Sequence, residues 1–157
     1  MNKRDVTAPA PTLTIEDQLA LQQLNADFAY YLDHHQVDAL VSLFSEDAYY
    51  RHGERISTGR AAIEALFRGR SAAGDRVARH MISGLRLARL DAERATGCSV
   101  VTTWAANGVI PINHAEPHLV ADFDDTYIRG ADGRWRIERR EISRIFVAQD
   151  NTGPVGG

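Results

Sequence analysis

The stretch ARHMISGLRLARL, residues 78–90, decides how this chain folds. It alternates apolar residues with polar or small ones, the pattern of a strand with one face in a core. Upstream the apolar spacing is helical. In TIEDQLALQQLNADFAYYLD (14–33), Leu21, Leu24, Phe28, Tyr31 and Leu32 share one side, which predicts a helix over 15–33. Thr14 suits the N-cap, with Asp17 three residues on close to a capping box. Val37, Leu40, Val41 and Phe44 form a second, short apolar face; SEDAYYRHGERISTG (45–59) reads as a hairpin turning at Gly53. GRAAIEALFRGRSAAG (59–74) predicts a third helix that buries Ile63, Leu66 and Phe67 and stops at Gly74. Downstream, TGCSVVTTWAANGVI, HLVADFDDTYIR and RWRIERREISRIFVAQ are strand-like, separated by DAERATG, GADG and a Pro-containing loop over 110–118. Three helices followed by a run of strands predict an α+β domain over 13–148, with the helices on one face of a strongly curved, antiparallel or mixed sheet. Such a sheet closed by helices encloses a conical pocket. Residues 1–12 read as a flexible arm and 149–157 as a flexible tail.

The composition excludes several functions. The 157 residues suffice for one domain with a sizeable core, and the net charge of -3 offers no broad attraction to nucleic acid or anionic membrane. Lys3 is the only lysine and Cys98 the only cysteine. Lysine Schiff-base chemistry, an internal disulfide framework and a cysteine zinc cage therefore drop out. The polar N-terminus lacks the apolar core of a secretory signal, and a cytoplasmic setting is expected. His34 and His35 diverge, while Pro117 breaks the HxxxH spacing of His114 and His118, so neither a metal nor another cofactor is expected. Nucleotide-binding glycine loops and a GxSxG elbow are absent.

The chemistry candidates are few. His80 is an imidazole that can take a proton at neutral pH, although its strand alone reads more readily as that of a core or rim histidine. Asp33 ends the first helix against the dipole, at a cost of about 0.3–1 kcal/mol. A carboxylate there can orient an imidazole and stabilise its cation, but helical periodicity places Asp33 in solvent. Tyr30 and Tyr31 flank it, and one of Tyr49 and Tyr50 must face inward. Among Arg136, Arg139, Arg140 and Arg144 of the last strand only some can reach a pocket; one of Asp124 and Asp125 points inward. Trp104, Phe123, Phe146 and Ile110 are candidate apolar walls.

The stretches LNADFAYYLDHHQVDALVSLFSEDAYY, RHMISGLRL and DDTYIRGADGRWRIERREIS together resemble SnoaL-like proteins of the NTF2-like α+β cone fold, over roughly residues 13–148. One branch of that superfamily, with scytalone dehydratase, bile-acid 7α-dehydratase and hexachlorocyclohexane dehydrochlorinase, carries an Asp–His dyad inside the cone, and Asp33 and His80 match its two positions. The resemblance therefore implies that both face the cavity. It places Tyr30 or Tyr31 near the dehydratase tyrosine, Arg144 near an arginine of the bile-acid enzyme, and Arg140 nearer that of the dehydrochlorinase. A second acid or base on the following strand is missing, since VVTTWAANG offers Thr103 and Trp104; Phe28 stands where the dehydrochlorinase has its lysine. The implied activity is a cofactor-independent lyase of dehydratase type, or an isomerase. His80 is its base, Asp33 orients the base, and Tyr30 or Tyr31 assists the oxygen. A cyclic or aromatic hydrophobic substrate would lie against Tyr50, Trp104, Phe123, Asp125, Arg140 and Arg144. The alternatives are a non-catalytic binding or accessory subunit, such as the small subunit of a ring-hydroxylating oxygenase, and an epoxide-hydrolase-type enzyme built on Arg86, Asp124 and Asp125. The resemblance also implies a homo-oligomer, trimer or dimer.

Overall fold

The computed structural model describes residues 12–74, 76–113 and 116–148; the arm and tail expected at the termini lie outside these residues, Thr12 excepted. Helix α1 (Ile15–Asp33) begins at Thr14, whose hydroxyl accepts a hydrogen bond from the Asp17 N–H at 3.1 Å, the cap its sequence predicts. Helix α2 (Val37–Ser42) follows after His35, which turns the chain with a φ of 56°. Strands β1 (Phe44–His52) and β2 (Arg55–Thr58) form a hairpin, and α3 (Arg60–Ala72) leads to β3 (Arg76–Arg89). Strands β4 (Arg94–Asn107), β5 (Leu119–Arg129) and β6 (Trp135–Val147) complete the chain.

The six strands form one mixed sheet in the order β2-β1-β6-β5-β4-β3. The last four strands make the expected antiparallel meander, and β1 pairs with β6 in parallel. A parallel pair needs a long crossover. Here the chain leaves β2 at one edge of the sheet and, through α3, reaches β3 at the other edge. Strand alternation sends Ala78, His80 and Ile82 of β3, Ala95, Val101 and Thr103 of β4, and Leu119, Ala121 and Phe123 of β5 to the helix-covered face.

Leu21, Leu24, Phe28 and Leu32 of α1 are buried against this face, and Tyr31 is half-buried beside them. Phe28 makes edge-on contacts with Phe44, Phe67 and Phe123 at centroid distances of 6.1, 6.4 and 6.0 Å, a favoured aromatic geometry. Beneath it lies a buried polar network. Arg140 donates to both oxygens of Asp125 (2.8 and 2.7 Å) and to Asn25 Oδ1 (2.6 Å). Tyr127 donates to Asp125, and Asn25 donates to Tyr127. The guanidinium is sandwiched between Phe28 and Phe123, 4.2 and 4.4 Å from their centroids. Gly97 makes room for the phenol, since a Cβ there would stand 2.8 Å from the Tyr127 ring.

This network corrects three expectations. Asp125, Arg140 and Phe123 were expected to line the substrate pocket. Instead both charged side chains are 0% exposed and pair with each other, and Phe123 caps the guanidinium. Drawing one partner of a buried ion pair away to a ligand leaves the other uncompensated, at a cost of about 3–5 kcal/mol. The Arg86, Asp124 and Asp125 set proposed for hydrolysis is not assembled. Arg86 and Asp124 are exposed on the opposite face of the sheet, and Asp125 is locked to Arg140.

Candidate functional site

The site forms where the C-terminal ends of α1 and α3 meet the start of β3. Asp33 is the last residue of α1, and both of its carboxylate oxygens are engaged by one residue of β3. The His80 backbone N–H donates to Oδ2 at 2.8 Å, and the ring Nδ1 lies 2.5 Å from Oδ1. Their side chains are 6% and 10% exposed. Periodicity had placed Asp33 in solvent. It is buried because β3 crosses the helix end and supplies two donors that offset the unfavourable dipole. A carboxylate only accepts, so Nδ1 carries the proton and Nε2 has its lone pair free. Nε2 has no partner among the described residues.

Burial holds the His80 imidazole below its ordinary pKa. Asp33 pulls the other way, and Arg70 and Arg76 add to the depression. Pairing with a carboxylate alone would have raised it; here desolvation wins. The imidazole is therefore neutral at pH 7.

Around it the structure gathers the expected Tyr50 and Arg144 together with Thr103, His52, Arg70 and Arg76, to which the sequence reading gave no role. Thr103 lies directly across from His80 on β4, and its buried hydroxyl has no partner among the described residues. His52 ends β1 on the same side as Tyr50, and it is held at about 4, first by burial and then by Arg144. Its Nε2 accepts a hydrogen bond from Arg144 Nε at 3.4 Å. Tyr50 is buried against Phe44 and Phe67, and burial pushes its phenol above the ordinary value. Arg70 follows Ile63 and Phe67 on the buried stripe of α3, and Arg76 precedes His80 on the inner face of β3. These signals were legible. His52 shares parity with Tyr50, Arg76 shares parity with His80, and Arg70 is the next helical step after Phe67.

The other expected site residues are dispersed. Tyr30 is 53% exposed and stacks on His34 at a centroid distance of 4.1 Å. It sits on the solvent side of α1, as its neighbour Tyr31 takes the inward position. Tyr31 borders a small recess with Phe67, His35 and Arg70. Trp104 faces the opposite side of the sheet from Thr103 and His80, paired across the strands with Arg79. Alternation makes it impossible for Thr103 and Trp104 to share a face. Phe146 and Ile110 are exposed and form no wall. Arg144 does lie at the site, next to His52 and Gly53.

Helices on one face of a six-stranded mixed sheet, with a polar group buried between them, define a protein of the NTF2-like, cystatin-like fold. An NTF2-like protein with a cystatin-like fold from Novosphingobium aromaticivorans superposes with a TM-score of 0.69 at 26% identity, covering 86% of each chain. A scytalone dehydratase-like protein from the same organism reaches 0.76 at 22% identity, over 91% of this chain and 95% of its own. An aromatic ring hydroxylase-like protein, again from that organism, reaches 0.73 at 20% identity over 88% and 98%. No curated protein matches the chain. The SnoaL-like domain family matches residues 13–141, and the chain belongs to it. Among the described residues no helix is long and apolar enough to cross a membrane.

Proposed function

We propose that this chain is a cofactor-independent lyase of the dehydratase type, or an isomerase, that removes a proton from carbon in a cyclic or aromatic substrate. The observation that carries the reading is the two-point bond between the Asp33 carboxylate and His80. It fixes the tautomer with Nε2 as base, and burial keeps that base neutral. Asp33 then stabilises the imidazolium formed when Nε2 takes the proton. The electron pair left on carbon moves into an adjacent carbonyl. It returns either to expel a β-hydroxyl, which takes the proton from the His80 imidazolium and leaves as water, or to pick that proton up at another carbon. Among the tyrosines Tyr50 has the better placement to assist the oxygen, since it is inward-facing and Tyr30 is not.

The test uses 3-hydroxy-1-tetralone, a cyclic β-hydroxyketone fused to an aromatic ring, whose dehydration gives 1-naphthol and a change in absorbance. In parallel, exchange of its α-proton is followed by NMR in D2O. Wild type is expected to accelerate exchange or water loss, and His80→Gln to lose about 10²–10⁴-fold of that acceleration. Because the folded base titrates below the ordinary histidine range, kcat/KM should be flat above neutral pH. It should fall only as acid protonates Nε2. Absence of acceleration, or equal rates for His80→Gln, would refute the reading.

A further inference from the structure

Arg70 and Arg76 stand out in the interior. Each of the other deeply placed cations has a carboxylate: Arg140 has Asp125, and Arg89 has Asp17. Among the described residues the guanidinium groups of Arg70 and Arg76 have neither an ion pair nor a hydrogen bond. Arg76 is 8% exposed, and its buried Nε is unsatisfied. Arg70 is half-buried, and drawing guanidinium groups even partly out of water without a counter-charge costs stability, so a fold that keeps two such groups on its inner side is holding them for something else. The carboxylate whose charge reaches Arg70, Asp33, already gives both oxygens to His80.

Their placement says what they hold. Arg76 is on the inner face of β3, one turn of strand alternation before Ala78 and two before His80. Arg70 reaches from the last turn of α3 beside Tyr31 and Phe67. Its charge acts on Tyr50, Asp33, His52 and His80, and on Arg76 itself. Both charges therefore reach the proposed base. Arg144 and Arg55 act on His52 from β6 and β2, and Asp33 is the acid that faces the group.

We infer that Arg70 and Arg76 form a binding site for an anionic oxygen group, a carboxylate or an ionised phenol, carried by the ring-shaped substrate that His80 acts on. The inference rests on the proposed function and narrows its substrate class. It also resolves an electrostatic conflict in that mechanism. Proton abstraction makes an imidazolium beside two guanidinium groups, and like charges at close range oppose it. An anion seated between the arginines removes that opposition, so the substrate itself prepares the base. Two donors in a planar fork also fix the ring relative to Nε2.

Binding can be read without turnover, which separates this inference from the catalytic one. Calorimetric titrations with 2-naphthoate and with 2-naphthamide, its neutral counterpart of the same shape, are compared at low salt in wild type, His80→Gln, Arg70→Gln and Arg76→Gln. Naphthoate is expected to bind wild type and His80→Gln about tenfold or more tighter than the amide. The preference should shrink to about twofold in either arginine variant. The ligand-free arginine variants are expected to melt at or above the wild-type temperature, because each loses an inward-facing charge that no carboxylate offsets. Equal binding of the two probes to wild type, absent binding included, overturns the site. So does a preference that survives undiminished in both arginine variants, or arginine variants that melt lower or fail to fold, since the guanidinium groups would then be structural. Loss of tetralone turnover in His80→Gln with naphthoate binding intact supports both readings. Naphthoate preference in a protein that never accelerates exchange leaves the anion site standing and removes the enzyme.

Discussion

At the scale of single residues, Asp33 does two jobs with two oxygens. Oδ2 takes the backbone N–H of His80, which can only donate, and Oδ1 takes Nδ1. This makes Asp33→Asn informative. The amide oxygen must stay on the backbone N–H, so the amide NH2 faces Nδ1 and forces it to accept. The proton then moves to Nε2, and the base is lost with little change in shape. The expected outcome is a switch of tautomer in the 15N spectrum of His80, with turnover falling about 10⁴-fold, the scale of a wrong tautomer in a Ser–His–Asp site. An unchanged tautomer would mean that the described bond does not govern the ring. Asp33 illustrates a limit of local reading: its neighbours on α1 place it in solvent, and the donors that bury it come from residue 80. Arg140 illustrates the reverse error. An arginine on a strand looks like a ligand clamp, and its true partners, Asp125 and Asn25, are 15 and 115 positions away.

At the scale of elements, α1 is tied to the edge strand at both ends. Asp33 holds His80 near the start of β3. Asp17 holds Arg89 at the end of that strand, with a bond of 2.7 Å, and accepts from Trp135 Nε1 on β6 at 3.0 Å. Helix and strand thus run antiparallel, with a charged strap at each end. Burial alone would raise the Asp17 pKa, but its hydrogen bond from Trp135 and the charge of Arg129 leave it below the ordinary value. Asp17→Asn leaves Arg89 without its counter-charge and is expected to cost about 3 kcal/mol, at the lower end for one broken partner of a buried pair. Urea unfolding measures this. The His80 tautomer should not change, because the second strap is independent; a change there would show that the two ends are coupled. Helix boundaries were readable because capping and apolar spacing are local. The pairing of β1 with β6 was not, since it depends on where α3 delivers the chain.

At the scale of the whole molecule, the buried histidines set a pH dependence. His52 titrates at about 4 and His80 below its ordinary value, each depressed first by burial. Both are neutral in folded and unfolded chains above pH 6.5, so their contribution to stability is fully present there. As pH falls below 6.5 the unfolded chain takes up protons that the folded chain refuses, and stability declines down to the folded pKa, about 4 for His52. The melting temperature should therefore drop between pH 6.5 and 4, and His52→Asn should flatten part of that drop. A profile identical to wild type would show that His52 is protonated more easily than its burial implies. The sequence by itself determined the layered α+β plan, the ends of α1, the turn at Gly53 and the parity that puts His80 and Arg76 on one face, because each follows from spacing and local backbone preference. Only the tertiary structure decided which polar groups meet. It locked Asp125 to Arg140, turned Trp104 outward, seated His52 against Arg144 and left Arg70 and Arg76 without carboxylates beside His80. Charge pairing in an interior is settled by which strands and helices are brought within a few ångströms, and that distance is not written in any local stretch of the chain.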